Sequence, residues 1–359
     1  MKVCIIGNGL VSMTLANALI KKNLDVHIIS GKKFNHYDKS RTLGISKSNV
    51  DYFNNKIVNL QKIPWEIKNI KVFSENLLNK EILDFKNDNK QIFSIIKNYK
   101  LQTLLYNNLK KNKFIKFKNF QTLNNLNKKK YNLIINCDSE NKITKKFFSK
   151  KIEKNYDSYA FTTIITHKKK INNTAYQNFT KEGPIAFLPI SNNQTSVVYS
   201  IRNKKIGKNI NLNDLIKKFN PSYEITKIAD YSCFELKSSN IRNYYKDNIL
   251  AFGDLLHKIH PLAGQGFNMS LRDIKFLSNL IDKKINLGLD IDKSVCIEFQ
   301  KKLKDKNYLF SVGIDWIYEI FNFESKINTN ILSKSINIIG KNRTLNSLFK
   351  RFADNGLTV

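Results

Sequence analysis

The string from Gly253 to Asp273, GDLLHKIHPLAGQGFNMSLRD, constrains this chain more than any other stretch. It follows the apolar run Ile249-Leu250-Ala251-Phe252, which reads as a buried strand that Gly253-Asp254 brings to an end. A loop with Pro261, Gly264, Gln265 and Gly266 comes next, and a helix opens near Phe267 with Leu271, Ile274, Leu277 and Leu280 at helical spacing. Glycines ahead of a helix let a ligand approach bare backbone N–H groups, and the helix N-terminus adds partial positive charge. Such a loop is built to hold an electron-rich, flat or anionic group.

The N-terminus carries a second glycine turn. Lys2 to Ile6 reads as a buried strand, Gly7-Asn8-Gly9-Leu10-Val11-Ser12 as the turn, and Leu10 to about Lys22 as a helix with Leu15, Ala16, Leu19 and Ile20 on one face. Asp25 to Ser30 makes a second strand. This is a βαβ unit with a GxGxxG-type turn whose third glycine is Ser12. In such a unit the first Gly permits the tight turn, the second lets backbone approach a pyrophosphate, and the third position lets helix and strand pack closely. The dinucleotide fold usually closes its second strand with an acidic residue for the ribose hydroxyls. Ser30 stands there instead and offers a neutral acceptor in place of a charged one.

The full Gly253–Asp273 string resembles the second flavin-binding motif of the FAD-dependent aromatic hydroxylases. Within them it is most similar to the ubiquinone-biosynthesis hydroxylases, with Gly253, Asp254, His257, His260, Pro261, Gly264, Gln265, Gly266, Asn268 and Asp273 in place. Leu255-Leu256 replace a pair of small residues, and Ser270 replaces a Gly. The resemblance implies that Asp254 meets the ribityl–phosphate chain of FAD and that Pro261 to Asn268 wrap the isoalloxazine edge. It also implies flavin contacts from Arg41 in the segment DKSRTLGIS and from Gln102 in the helix around Asn98 to Leu109. After the strand Tyr131 to Cys137, the family's A-D-G-x-x-S-x-x-R motif survives only as Asp138, with Ser139 in place of the Gly. Ala175 to Pro189, AYQNFTKEGPIAFLP, matches the subgroup's pattern A-x-x-x-F-x-x-x-G-P-x-A-x-L-P.

The expected fold class is α/β: a Rossmann-like FAD-binding domain interleaved with an antiparallel β-sheet substrate domain, followed by C-terminal helices, as in para-hydroxybenzoate hydroxylase. Residues 1–75, 95–152 and 238–300 are expected in the FAD-binding domain, 76–94 and 153–237 in the sheet domain, and 301–359 in the C-terminal helices. Residues 50 to 75 read as a helix and a connection, and 78 to 93 as a polar excursion. The β-rich runs Ala160 to Thr166 and Thr195 to Ile201 carry the sheet, which ends near Glu235-Leu236. Leu309, Val312, Ile314, Trp316, Ile317, Ile320 and Phe321 are more apolar than one helix face needs. They read as packing against the flavin domain, or as a substrate-tail groove or membrane-facing patch.

Composition narrows the partners. The 359 residues include 61 Lys and Arg against 29 Asp and Glu, a net charge of +32. The Lys are diffuse and accompanied by many Asn and Ile, as in an AT-biased coding sequence, so a solvated surface accounts for them. No clustered basic stripe with interleaved aromatics marks a nucleic-acid partner. A basic surface does attract anionic headgroups, at about 1 kcal/mol per Lys or Arg near the membrane. No apolar run approaches the roughly 20 residues of a membrane span, and Met1-Lys2 leads straight into the first strand without a signal-peptide pattern. The expectation is a cytoplasmic protein, peripheral on the cytosolic membrane face where it meets its substrate. Cys4, Cys137, Cys233 and Cys296 have no CxxC spacing and read as neither disulfides, metal ligands nor nucleophiles. His257 and His260 stand at i, i+3 without a third ligand, so they read as loop architecture rather than a metal site.

No Ser–His–Asp set, carboxylate pair or metal cluster stands out, which is what a reaction carried by a cofactor predicts. By resemblance the cofactor is FAD, the reductant NAD(P)H, and the substrates O2 and a polyprenylated phenol of ubiquinone biosynthesis. The ring is then hydroxylated through a flavin hydroperoxide, within or beside a ubiquinone-biosynthesis complex. The rival reading is a non-catalytic or differently specific FAD-binding protein of the same fold acting in a biosynthetic complex. Ser30 and Ser139 keep that reading open.

Overall fold

The computed structural model describes residues 1–31, 38–75, 80–86, 91–119, 126–202, 211–260 and 265–327. Runs of fully buried aliphatic residues set its first layer. Lys2–Ile6, Asp25–Ser30, Ile115–Asn119, Leu133–Asn136 and Ile249–Ala251 pair in parallel, and the short strand Tyr245–Lys246 adds an antiparallel edge. Across this sheet Ile28, Ile5, Ile135 and Leu250 stand in one register row. Strands buried on both faces need such continuous apolar runs.

The strand order explains where a ligand can sit. From the Lys2–Ile6 strand the chain builds outward through Asp25–Ser30 and Ile115–Asn119. It then returns to the other side of Lys2–Ile6 with Leu133–Asn136 and Ile249–Ala251. A doubly wound sheet opens a crevice at the carboxyl ends of its strands where the order reverses. Here Ile6 pairs with Asn136, and Asn136 with Ala251. Gly7, Cys137 and Gly253 therefore leave the sheet along one edge. The helix Leu10–Ile20 lies over this sheet and is buried from Ser12 to Ile20. Its buried Asn17 is fully partnered: Nδ2 donates to the Met13 and Leu105 carbonyls at 2.8 and 3.2 Å, and Oδ1 accepts from Asn108 at 2.7 Å.

The second layer is a nine-stranded, mostly antiparallel sheet. Its centre is the long strand Lys151–His167, flanked by Gln194–Arg202 and Ser232–Ile241. One face packs Ile165, Ile185, Phe187, Val197, Tyr199 and Ile201 under the helix Leu212–Lys218. The AYQNFTKEGPIAFLP string becomes the hairpin Thr174–Phe179 and Pro184–Pro189. Its glycine is dictated by space: Gly183 has φ +142°, and a Cβ there would sit 2.1 Å from the Ser200 carbonyl oxygen.

Three expectations need correction. Residues 50–75 are not only helix and connection: after Lys47–Tyr52 and the wider turn Phe53–Ile57 come the strands Trp65–Ile67 and Asn69–Ser74. The polar excursion at 78–93 contains the strand Lys80–Lys86, which pairs with Asn69–Ser74 at the edge of the nine-stranded sheet. The crossover into that sheet thus falls near Lys68, ahead of the boundary expected at 75, and the sheet runs on to Ile241 rather than ending near Leu236. Trp65–Ile67 instead joins Thr42–Ser46 and Phe93–Lys97 in a small third sheet. The last described helix, Lys293–Ile327, spans the boundary drawn at 300. Residues 328–359, with the expected C-terminal helix at Leu345 to Gly356, lie outside the described residues.

Candidate flavin site

The two glycine turns interlock. Gly7 has φ +112°, and its N–H donates to the Ile29 carbonyl at 2.8 Å. A Cβ at Gly7 would lie 3.2 Å from Ser12 Oγ and 3.5–3.6 Å from the Cys137–Asp138 backbone. Gly253 has φ +63°, and a Cβ there would lie 3.1 Å from Val11 Cγ1. The Gly253-Asp254 turn, remote in sequence, thus rests directly on the first turn of the Leu10–Ile20 helix. Only residues that tolerate positive φ without a side chain allow both approaches.

Gly9 differs from these two. It is the N-cap of that helix at φ −70°, ψ 174°, and a Cβ there would meet nothing within 4 Å. No side chain caps this helix, and its first turn holds no acidic residue. The first-turn N–H groups, which include those of Leu10 and Ser12, have no intrahelical acceptor by helix geometry. An open space over bare amides at a helix N-terminus is what a pyrophosphate requires. The residues present therefore fit the anionic centre of FAD.

Carboxylates border this cradle. Asp254 is exposed, one residue into the short turn Gly253–Leu255. Asp138 and Asp254 both lie close enough to act on the Cys137 thiol. Burial pushes that thiol up to about 12; the Ser12 hydroxyl bond opposes this, and the two carboxylates add to it. Ser12, Cys137, Asp138 and Asp254 therefore share one locality, and the thiol there is neutral. Asp138 is held by its own turn, where Oδ1 accepts from Glu140 N at 2.8 Å and its carbonyl accepts from Asn141 Nδ2 and Thr144 Oγ1. Behind it the buried amides Asn136 and Asn141 bond each other at 2.7 Å. Sequence reading missed this support, although Asn141 preceding a short helix is an N-cap signal, and its side chain accepts from Thr144 N. Gln102 Nε2 donates to the Asn8 carbonyl at 3.2 Å, tying the helix Asn98–Lys110 to the glycine turn. Ser30 ends its strand opposite Asn119, one residue past Gly7's acceptor.

Arg41 lies in a strap that crosses to the large sheet. Its guanidinium stands 4.7 Å over the Phe234 ring, and its carbonyl accepts from Asn98 N. Ser40 Oγ donates to Ser232 Oγ and Thr42 Oγ1 to Ser196 Oγ, each at 2.9 Å. The strap therefore lies on the sheet face opposite to the one covered by Leu212–Lys218. Asn268 locks the strap's other end: its Oδ1 accepts from Ser46 N and Asn49 Nδ2, and its Nδ2 donates to the Gly44 carbonyl at 3.0 Å. Asn268, expected at the isoalloxazine edge, gives these bonds of its buried side chain to the strap. Gln265 and Gly266 open the helix Gln265–Asn286, and Pro261 and Gly264 lie outside the described residues.

The two histidines have separate fixtures. His257 Nε2 bonds Asp273 Oδ2 at 2.5 Å, and Asn307 Nδ2 donates to the other carboxylate oxygen. His260 is 1% exposed and lies between two tyrosine rings, 4.3 Å from Tyr318 and 4.7 Å from Tyr156 between centroids. Burial, with Lys154 adding to it, lowers its pKa to about 3.

Residues 132–286 match the family model described as FAD binding domain. Over 157 residues the chain is 31% identical to the 3-demethoxyubiquinol 3-hydroxylase of Escherichia coli K12, covering 42% of this chain and 40% of that one. Over 213 residues it is 23% identical to the mitochondrial ubiquinone biosynthesis monooxygenase COQ6 of Dictyostelium discoideum, covering 49% and 43%. Over these stretches the chain is similar to the ubiquinone-biosynthesis FAD hydroxylases. The matched stretch spans less than half the length of these curated relatives. The fold is that of solved FAD monooxygenases. Pseudomonas putida p-nitrophenol 4-monooxygenase PnpA superposes with a TM-score of 0.75 at 10% identity, covering 99% of this chain and 98% of that one. A point variant of Klebsiella pneumoniae HpxO complexed with FAD gives 0.74 at 11%, covering 100% of each chain.

Two outcomes test this site. Gly9→Ala places a methyl over the cradle without touching protein, so FAD affinity should fall about 10- to 100-fold, about 1.4 to 2.7 kcal/mol. The unfolding midpoint of the apo chain should hardly move, and a fluorescence titration paired with urea melts reads both. His260 generates a pH effect. Unfolded His takes a proton near pH 6.5, whereas native His260 resists it until about pH 3. Below pH 6.5 the unfolded state binds the extra proton, so this group lowers stability by about 1.4 kcal/mol per pH unit. From pH 7 to 5 the wild type should lose about 2 kcal/mol more than His260→Phe in urea unfolding.

Proposed function

We propose that this chain binds FAD and hydroxylates the aromatic ring of a polyprenylated phenol on the route to ubiquinone, using O2 and NAD(P)H. One observation carries the proposal. The interlocked turns at Gly7–Ser12 and Gly253–Asp254 form an anion cradle at the switch point of a parallel sheet, and a strap joins that cradle to a broad antiparallel sheet. The names of the relatives supply the substrate class.

Bound FAD would supply the oxygen-transfer chemistry. The chain supplies binding, shape and dryness. The amides of Leu10 to Ser12 hold the pyrophosphate, Asp254 takes the ribityl hydroxyls, and Ser30 bonds the adenosine ribose. Arg41, seated on Phe234, would offer the flavin a cation from the strap. The sheet face carrying Thr162, Ser196, Ser232 and Phe234 roofs the ring site, since the strap's hydroxyls and guanidinium all meet that face. A sheet face over the ring would shield it from water.

A prenyl tail calls for a membrane surface. On the helix Lys293–Ile327, Tyr308, Leu309 and Trp316 are exposed, with Lys301, Lys302 and Lys306 beside them. We take this face as the site of contact with anionic lipid on the cytosolic side, and as a place where a ubiquinone-biosynthesis complex could form. Among the described residues no helix is long and apolar enough to cross a membrane.

The decisive experiment is an absorption spectrum of purified protein reconstituted with FAD, then anaerobic NADPH addition with and without a short-chain prenylphenol. Bleaching, and a hydroxylated ring on return of air, is expected. A bound flavin that never bleaches with NADPH, or with NADH in its place, would favour the non-catalytic reading that Ser30 and Ser139 leave open. For the lipid face, wild type should co-sediment with vesicles containing phosphatidylserine, and Leu309→Asp/Trp316→Asp should not. Equal sedimentation of both would remove that part of the proposal.

A further inference from the structure

We propose that the hydrogen-bonded pair His257–Asp273 positions Asp254. The pair fixes the exit of the Gly253–Leu255 turn, and so the place from which Asp254 meets the ribityl hydroxyls. The inference rests on the reading that this turn serves FAD.

Asp254 stands out from its surroundings. From Ile249 to His257 every other residue is buried, and Asp254 is exposed. Its place is therefore set by where the buried residues on either side are held. The entry is held by the parallel sheet: Phe252 N donates to the Asn136 carbonyl at 2.8 Å, and Gly253 rests on Val11. Within the turn, Leu256 N donates to the Gly253 carbonyl at 2.9 Å. The exit leaves this sheet and joins the large one. The Leu256 carbonyl accepts from Ile241 N at 3.2 Å, and His257 pairs with Asn240 near the end of the strand Ser232–Ile241. The exit strand His257–Lys258 is only two residues long, so its ladder bonds alone hold it weakly.

The His257 side chain supplies the rest of the hold. Its Nε2 lies 2.5 Å from Asp273 Oδ2, and both side chains are 1% exposed. Asp273 belongs to the helix Gln265–Asn286, and its other oxygen accepts from Asn307 Nδ2 on the helix Lys293–Ile327 at 3.1 Å. That second helix is itself fixed to both sheets. Gln300 Oε1 accepts from Tyr244 N at 2.7 Å, and the Tyr244 carbonyl accepts from Ala251 N at 2.8 Å. Asn240 Nδ2 donates to Ser311 Oγ at 2.9 Å. The Asp273 carboxyl thus joins two helices to the exit of the turn, at a junction where both sheets are anchored. Stability alone does not account for such a pair, because apolar side chains of similar volume in its place are often neutral or stabilising. What a short hydrogen bond adds over packing is direction, since it weakens steeply with angle. It holds the His257 ring in one orientation and, through the buried Leu255 and Leu256, holds Asp254.

The test measures FAD affinity of apo proteins by flavin fluorescence, with urea melts to establish folding. His257→Leu/Asp273→Leu removes the hydrogen bond and leaves neither partner of the pair buried alone. It should fold and lose about tenfold in affinity. His257→Gln keeps an N–H donor at similar reach and should stay within about threefold of wild type. Asp254→Ala should itself lose about tenfold. The deciding comparison combines Asp254→Ala with the pair variant. A pair that acts through Asp254 has nothing left to position there, so the combination should bind FAD within about threefold of Asp254→Ala alone. Multiplied losses, about a hundredfold in the combination, would overturn the inference. So would wild-type affinity in the folded pair variant, or a folded His257→Gln as impaired as that variant. Should the pair variant not fold, Asp273→Asn, whose single oxygen faces two donors, carries the same expectations. Wild-type protein that takes up no FAD overturns the cofactor reading itself and this inference with it, an outcome distinct from an effect confined to the variants.

Discussion

The contact of Gly253 with Val11 is the constraint on which the site depends. Backbone from one end of the chain's central sheet rests on a helix turn from the other, so close that a Cβ at Gly253 would stand 3.1 Å from Val11 Cγ1. That approach is possible because Ile6, Asn136 and Ala251 end their strands in register. The register follows from rows of buried Ile and Leu that a one-residue slip would misplace. Sequence pattern sets the ladder, the ladder sets the strand ends, and the strand ends bring two distant glycine turns together. The cradle is a consequence of sheet packing before it is a feature of any side chain.

The link from cradle to roof is polar, and its satisfaction matters more than its number of bonds. Asn268 is buried yet uses both ends of its amide on the strap, so that burial carries no unpaired group. Ser40 and Thr42 carry the strap onto the sheet through hydroxyl pairs, and Arg41 does so through the Phe234 face. Neutral hydrogen bonds of this kind contribute about 1 kcal/mol net each, whereas leaving one partner buried alone costs about 1–3 kcal/mol. The strap is thus held less by what its bonds contribute than by the penalty of breaking any one of them.

Most of the frame was legible in the sequence because long buried runs have an unambiguous period. Lys2–Ile6, Asp25–Ser30, Leu133–Asn136 and Ile249–Ala251 emerged as strands, and the helices at Leu10 and Asn98 emerged within two residues at their starts. Trp65–Ile67 and Asn69–Ser74 did not, because Lys and Asn interrupt a short alternation whose buried members are set by partner sheets far along the chain. Lys80–Lys86 was hidden by its charge, which suits the sheet edge it forms. Residue-level roles were legible where they rest on backbone, as at Gly7 and Gly253. They were not legible where a side chain serves another segment. Asn268 sits inside a flavin motif yet faces the strap, and no local pattern could assign Tyr156 to His260, since a strand more than a hundred residues away and a helix further along the chain supply the rings on either side of it.

The titratable groups around the cradle argue for a site that binds and shapes. Cys137 is the nucleophile nearest the glycine turns, and burial beside two carboxylates keeps it a thiol. His260, the histidine next to the loop, is held neutral by the same burial. His257 is engaged by Asp273, whose other oxygen is engaged by Asn307. Among the described residues around the cradle, the thiol and the two histidines are thus held by burial or by a carboxylate, while the first-turn amides and the exposed Asp254 stay open. A chain arranged in this way leaves the electron-transfer chemistry to a bound group and contributes placement, which is the division of labour that cofactor enzymes show. It also follows why the +32 charge does not crowd the site: the groups bordering the glycine turns are Asp138 and Asp254, while the Lys excess is spread along the rest of the chain.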